Sequence, residues 1–81
     1  MKIQVRLFAA ARQLCGAGMV EVELPADSNI GQLRSALAQQ YPALAPLAPH
    51  LMFAAASQYV SDATPLAADA EIACIPPVSG G

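Results

Sequence analysis

KIQVRLFAAARQLCGAGMVEVEL, residues 2–24, contains two runs in which apolar and polar residues alternate. Ile3, Val5 and Leu7 alternate with Lys2, Gln4, Arg6 and Phe8; Val20, Val22 and Leu24 alternate with Met19, Glu21 and Glu23. Successive side chains of a strand point to opposite faces, so each run predicts a strand with one buried face. Strands this close in the chain pair most simply as an antiparallel hairpin. The intervening AAARQLCGAG holds one short helical turn before the turn signal at Gly16 and Gly18.

Working outward, PADSN (25–29) is a helix-start signal in which Asp27 or Ser28 can cap free N–H groups. Ile30, Leu33, Leu37 and Tyr41 then recur at helical spacing until Pro42 closes the segment. Gly31 weakens this helix by about 1 kcal/mol relative to alanine. YPALAPLAPHL (41–51) carries too many prolines for regular structure and reads as a packed apolar connection. LMFAAASQYV (51–60) is a third strand region with a bend near Ser57. SDATPLAADA (61–70) is turn-rich, and EIACI (71–75) is a last strand that Pro76 terminates, because proline cannot donate to a ladder. The order β, β, α, β, β predicts an α+β roll: a mixed sheet with one main helix.

The 81 residues allow one domain, which buries about 60–65% of its unfolded surface and has no room for a deep substrate cavity. Only 12% of residues are charged, against about 25% in ordinary domains, which predicts that a partner covers part of the surface. Four basic residues without a cluster and a net charge of −2 argue against nucleic acid. Prolines and His50 divide the richest apolar region, so no run is long enough to span a bilayer. Arg6 and Arg12 interrupt the N-terminal apolar stretch, which is unlike a signal peptide. The expectation is a soluble, cytoplasmic chain.

Side-chain chemistry is sparse. Cys15 and Cys74 satisfy parity for one disulfide but lack CxxC spacing, and read as reduced core residues. His50 is the single histidine, flanked by Pro49 and Leu51, and reads as a surface or packing residue. Glu21 and Glu23 share a strand face and serve solvation. No phosphate-cradling glycine loop and no metal-ligand set is found. What remains distinctive is CIPPVSGG (74–81). Pro76 and Pro77 fix φ near −65° and stiffen the exit from the fold. From Pro76 to Gly81 an extended tail reaches on the order of 20 Å. Gly80 and Gly81 lack a Cβ and can enter a narrow channel, leaving the terminal carboxylate as a group for another enzyme to activate.

This ending, the opening VRLFAAARQL (Leu-Phe-Ala-x-x-Arg), the single helix and PLAADAEIACIPP together resemble the small-subunit family of molybdopterin synthases, ubiquitin-like β-grasp sulfur carriers. The resemblance spans essentially the whole chain, and Pro-Pro-Val-Ser-Gly-Gly is its most specific part. The chain departs from the usual pattern at Ser57, where Asn is common, and at Asp69-Ala70, where a Gly commonly flanks the Asp. The resemblance implies a β-grasp domain over residues 1–75 and a flexible, protruding sulfur-carrying tail over 76–81. It implies that a ubiquitin-activating-like adenylyltransferase consumes ATP to adenylate Gly81. A sulfur-donating enzyme then leaves a terminal thiocarboxylate, and the large subunit of a heterotetrameric synthase uses that sulfur to convert cyclic pyranopterin monophosphate to molybdopterin. Gly81 then bears the sulfur, Gly80 gives it slim access, and Pro76, Pro77, Val78 and Ser79 form the arm. The chain itself is a non-catalytic donor subunit with no bound cofactor or metal. Carriers for thiamine thiazole or cysteine synthesis share this tail chemistry, and a β-grasp binding module with an incidental Gly-Gly belongs to a different class.

Phe8 lies on the Lys2/Gln4/Arg6 face and Ile75 shares a face with Glu71 and Ala73, so both are expected to be exposed. Such residues commonly anchor interfaces. Phe8, Arg12, Tyr59 and Ile75 are therefore expected to help bind the large subunit or the activating enzyme. The competing reading is that they close the edge of the core.

Overall fold

A computed structural model describes residues 1–77. The first alternating run forms β1 (Lys2–Leu7) and the second β2 (Met19–Glu23), paired antiparallel with Lys2 opposite Glu23 and Arg6 opposite Met19. Between them, where the sequence suggested one short helical turn, lies α1 (Ala9–Cys15), a helix of about two turns. Gly16 ends it at φ 71°, a left-handed conformation that glycine adopts without steric cost, and its N–H donates to Arg12 O at 2.9 Å.

The main helix, α2 (Ile30–Gln40), starts later than the sequence suggested, with neither Asp27 nor Ser28 as its cap. Asn29 caps it: Gln32 N–H donates to Asn29 Oδ1 at 2.9 Å, and Asn29 N–H donates to Gln32 Oε1 at 2.8 Å, a reciprocal capping box. Asp27 instead takes φ 64° in the preceding turn, and the buried Ser28 hydroxyl donates to Pro25 O at 2.7 Å. The 61–66 segment docks on this helix start, with Gly31 N–H donating to Asp62 O at 2.9 Å and Ile30 N–H to Thr64 O at 3.0 Å. A Cβ on Gly31 would lie 3.3 Å from Asp62 Cβ, so close approach accounts for the glycine. Two short 3₁₀ turns, Pro42–Leu44 and Ala48–His50, carry the proline-rich connection.

The third strand region is two strands. β3 (Met52–Ala55) and β4 (Gln58–Val60) form a hairpin around Ala56-Ser57, which take φ 50° and 66°. Two left-handed residues in a two-residue loop make the turn whose twist matches the flanking strands, here without the usual Asn-Gly. β5 (Glu71–Ile75) inserts between β1 and β3, parallel to the first and antiparallel to the second. The five-stranded mixed sheet has the order β2-β1-β5-β3-β4. Its inner face, with Ile3, Val5, Leu7, Val22, Ile72 and Phe53 all fully buried, packs on Ile30, Leu33 and Leu37 of α2.

One staple had no sequence signal. Arg34 Nη1 donates to the carbonyls of Ala48 and Leu51, each at 2.7 Å, and Nη2 donates to Asp62 Oδ1 at 2.8 Å. Its guanidinium carbon lies 5.1 Å from the Phe53 ring centroid. One cation thus ties α2 to the proline-rich connection, the 61–66 segment and the sheet.

Candidate functional site

The parallel pairing of β1 with β5 sets the geometry. Gln4 lies opposite Glu71 and Leu7 opposite Cys74, so both strands finish side by side. Phe8, the next residue after β1, donates its N–H to Cys74 O at 3.3 Å. Strand alternation sends Arg6, Ala73 and Ile75 to the outer face of the sheet, away from α2. Register then extends that face: Met52 lies opposite Ile75, Ala54 opposite Ala73, and Tyr59 opposite Ala54.

The outer face therefore has two halves. Over β5, β3 and β4 it is apolar: Ile75 is half-buried, while Met52 and Tyr59 are 46% and 64% exposed. Phe8, 41% exposed, borders this half. Over β1 and β2, joined by Glu71 at the start of β5, it is mainly charged, with Met19 the exposed apolar exception. Gln4 Nε2 donates to Glu21 at 2.8 Å, Lys2 Nζ lies 3.8 Å from Glu21, and Arg6 Nε and Nη2 both lie 3.0 Å from Glu71 Oε1. Where the halves meet, Ala54, Ala56, Ser57 and Ala73 are too small to fill the surface, leaving a hollow bounded by Arg6 and Glu71. An apolar centre beside a polar margin is the anatomy of a protein–protein interface.

The structure brings together three of the four residues expected at the docking surface. Phe8, Ile75 and Tyr59 lie on or beside the apolar half. Arg12 does not: its side chain runs from α1 toward Gly18, where a Cβ would lie 3.6 Å from Nε, lining a separate open groove with Ala9, Gln13 and Gly16. Met52 and the alanine-lined hollow were not foreseen, although Met52 follows the same alternation as Ala54. Of the proposed arm, Pro76 is buried against the fold and Pro77 is exposed. Val78, Ser79, Gly80 and Gly81 lie outside the described residues.

Both thiols are protonated near neutrality. Cys74 is buried and its thiol is pushed up to about 11 by desolvation, against which Arg34 acts weakly; burial also raises the half-buried Cys15. His50 is exposed at the end of its 3₁₀ turn. Among the described residues no three His, Cys, Asp or Glu side chains gather closely enough to hold a metal ion, and no helix is long and apolar enough to cross a membrane.

Comparison with known proteins agrees with this picture. The model of the ThiS family matches residues 5–81. The molybdopterin synthase sulfur carrier subunit of Caenorhabditis briggsae is 36% identical over 83 residues, spanning all of this chain and 99% of that protein. SAMP1 from Haloferax volcanii superposes with a TM-score of 0.85 at 27% identity, covering all of both chains. A complex of subunits 1 and 2 of the molybdopterin-converting factor from Helicobacter pylori contains a chain of the same fold, with a TM-score of 0.68 at 22% identity over the full length of both chains. The mixed sheet wrapped on one main helix is the ubiquitin-like β-grasp of these proteins.

Proposed function

The chain belongs to the ThiS family, and from that premise we propose that it is the sulfur carrier subunit of a molybdopterin synthase. The C-terminal carboxyl of Gly81 is the working group. An adenylyltransferase joins it to AMP with release of pyrophosphate from ATP. Sulfide-level sulfur (HS⁻) supplied by a donor enzyme then attacks the acyl carbon, forming the C–S bond as the C–O bond to AMP breaks, to leave a thiocarboxylate and free AMP. That sulfur passes to cyclic pyranopterin monophosphate in the large subunit, whose side chains carry the catalysis. The cytoplasm, where ATP and the partner enzymes meet, is the compartment this chemistry implies.

The observation that supports this reading best is the shared end of β1 and β5. The chain leaves the sheet at Pro76 and Pro77, beside Phe8 and Ile75. Docking through the apolar half of the outer face therefore brings a partner to the root of the tail. A rigid body that seats itself there delivers the tail without needing catalytic groups of its own.

Incubation with the adenylyltransferase, ATP and a sulfur donor tests the proposal by intact mass. The expected product has one terminal oxygen replaced by sulfur, and converts cyclic pyranopterin monophosphate when the large subunit is added. Deleting Gly81 abolishes loading and leaves the circular dichroism spectrum unchanged. Loading without transfer to the pyranopterin would reassign the carrier to another pathway; loading of the Gly81 deletion would remove the carrier reading.

A further inference from the structure

β2 forms one margin of the sheet, and its backbone faces two ways. Leu24 N–H donates to Met1 O at 2.8 Å and Leu7 N–H donates to Gly18 O at 2.9 Å. Antiparallel ladders alternate, so Val20 and Val22 also turn their backbone groups toward β1, while Met19, Glu21 and Glu23 aim theirs at the open margin. Two of those three are already engaged by the end of α2. Glu23 N–H donates to Gln40 Oε1 at 3.1 Å, and Gln40 Nε2 donates back to Glu23 O at 2.8 Å. The Tyr41 hydroxyl donates to Glu21 O at 2.7 Å.

A primary amide that accepts from and donates to the same residue supplies what a neighbouring strand residue would supply. We infer that β2 is a self-complementary pairing edge, and that Gln40 and Tyr41 hold it closed against a second copy of this chain. Free strand edges template pairing with other chains. A twofold axis at Glu21 sets Glu21 against its mate and Met19 against Glu23, so the edge matches itself. Charge alone blocks this weakly, because each Glu21 carboxylate is already paired with Gln4 and Lys2. The helix end is a firm anchor for the cover: Gln40 is the last residue of α2, and Tyr41 N–H donates to Leu37 O at 2.9 Å. At the opposite margin β4 has only three residues, and shortness protects it.

Sedimentation velocity of the full chain over a range of concentrations tests the inference. The wild type is expected to remain monomeric and the Gln40→Ala/Tyr41→Phe variant to dimerise as concentration rises. Adding Glu21→Pro returns that variant to monomer, since the lost N–H faces the margin and no bond to β1 is removed. In dilute solution, hydrogen exchange at the Glu23 amide accelerates about three- to tenfold in Gln40→Ala, the loss of one net hydrogen bond. That single variant carries the same reading if the double variant fails to fold. A folded variant that stays monomeric, a dimer that survives Glu21→Pro, a dimeric wild type, or unchanged exchange at Glu23 overturns the inference.

Discussion

Replacing Arg34 with methionine keeps most of the aliphatic stem and removes the guanidinium. Three losses follow. The two bonds to the Ala48 and Leu51 carbonyls, both 2.7 Å, are charge-assisted, and such bonds contribute about 1.5–3 kcal/mol each when dry. Here the site is part-buried and water partly replaces the donor, so each bond falls at or somewhat below the lower end and the pair contributes about 2–3 kcal/mol. The stacking on Phe53 adds about 0.5–1 kcal/mol. The Asp62 pair adds little, because that carboxylate is 59% exposed and solvent screens it. The expected cost is about 3 kcal/mol, which in a domain of this size lowers Tm by on the order of 15 °C. Urea unfolding followed by far-UV circular dichroism reads the change directly, with an unchanged m-value marking a true loss of stability. Asp62→Ala should cost under about 1 kcal/mol, and Arg34→Lys, a compact cation without the planar fork, should fall between the two. A loss below about 1 kcal/mol for Arg34→Met would refute the staple, since both carbonyls would then be rehydrating at no cost.

The Ala56-Ser57 turn holds two L-residues in the left-handed region, so Ala56→Asn with Ser57→Gly should stabilise the hairpin by about 1–2 kcal/mol, seen as a raised urea midpoint. Cys74 has a folded pKa of about 11 against an ordinary 9.0, so above pH 9 the unfolded chain loses a proton that the folded chain retains. Stability is therefore full below pH 9 and falls toward pH 11; Cys74→Ala should flatten this part of the pH profile, and an unchanged slope would reject burial as its cause. With the synthase large subunit, Ile75→Glu should weaken binding at least tenfold, by burying an unpaired charge in the apolar half of the outer face, while Tm changes little. Arg12→Ala, away from that face, should weaken it less in the same titration; the reverse ranking would move the docking surface to the α1 groove.

How far the sequence could be read depended on whether the relevant partners were near in the chain. Alternation correctly separated Ile3, Val5 and Leu7 from Lys2, Gln4 and Arg6, because burial on a strand is a local pattern. The cap of α2 was misplaced among three consecutive capping-type residues, although Asn29-x-x-Gln32 carries the box signature that distinguishes it. β3 and β4 merged into one strand because their turn is Ala-Ser, which lacks the glycine or asparagine that marks such turns. Arg34 was illegible for a deeper reason: it binds backbone carbonyls 14 and 17 residues away, and a carbonyl has no residue type. For the candidate site, strand parity placed Phe8 and Ile75, but only the order β1-β5-β3-β4 brings Met52 and Tyr59 to the same face.

That order also governs when the fold can form during synthesis. Of the five described strands, the one latest in the chain, β5, is the central one, and until it is made β1 and β3 have no contact through the sheet. Pairing across nearly the whole chain makes folding late and dependent on distant contacts. A chain arrested before residue 71 exposes two unsatisfied strand edges and is a natural substrate for proteolysis or chaperones. Completion of the outer apolar face and synthesis of β5, which runs directly into Pro76 and Pro77, are thus one event, so a chain that stops short of β5 presents no finished face to a partner.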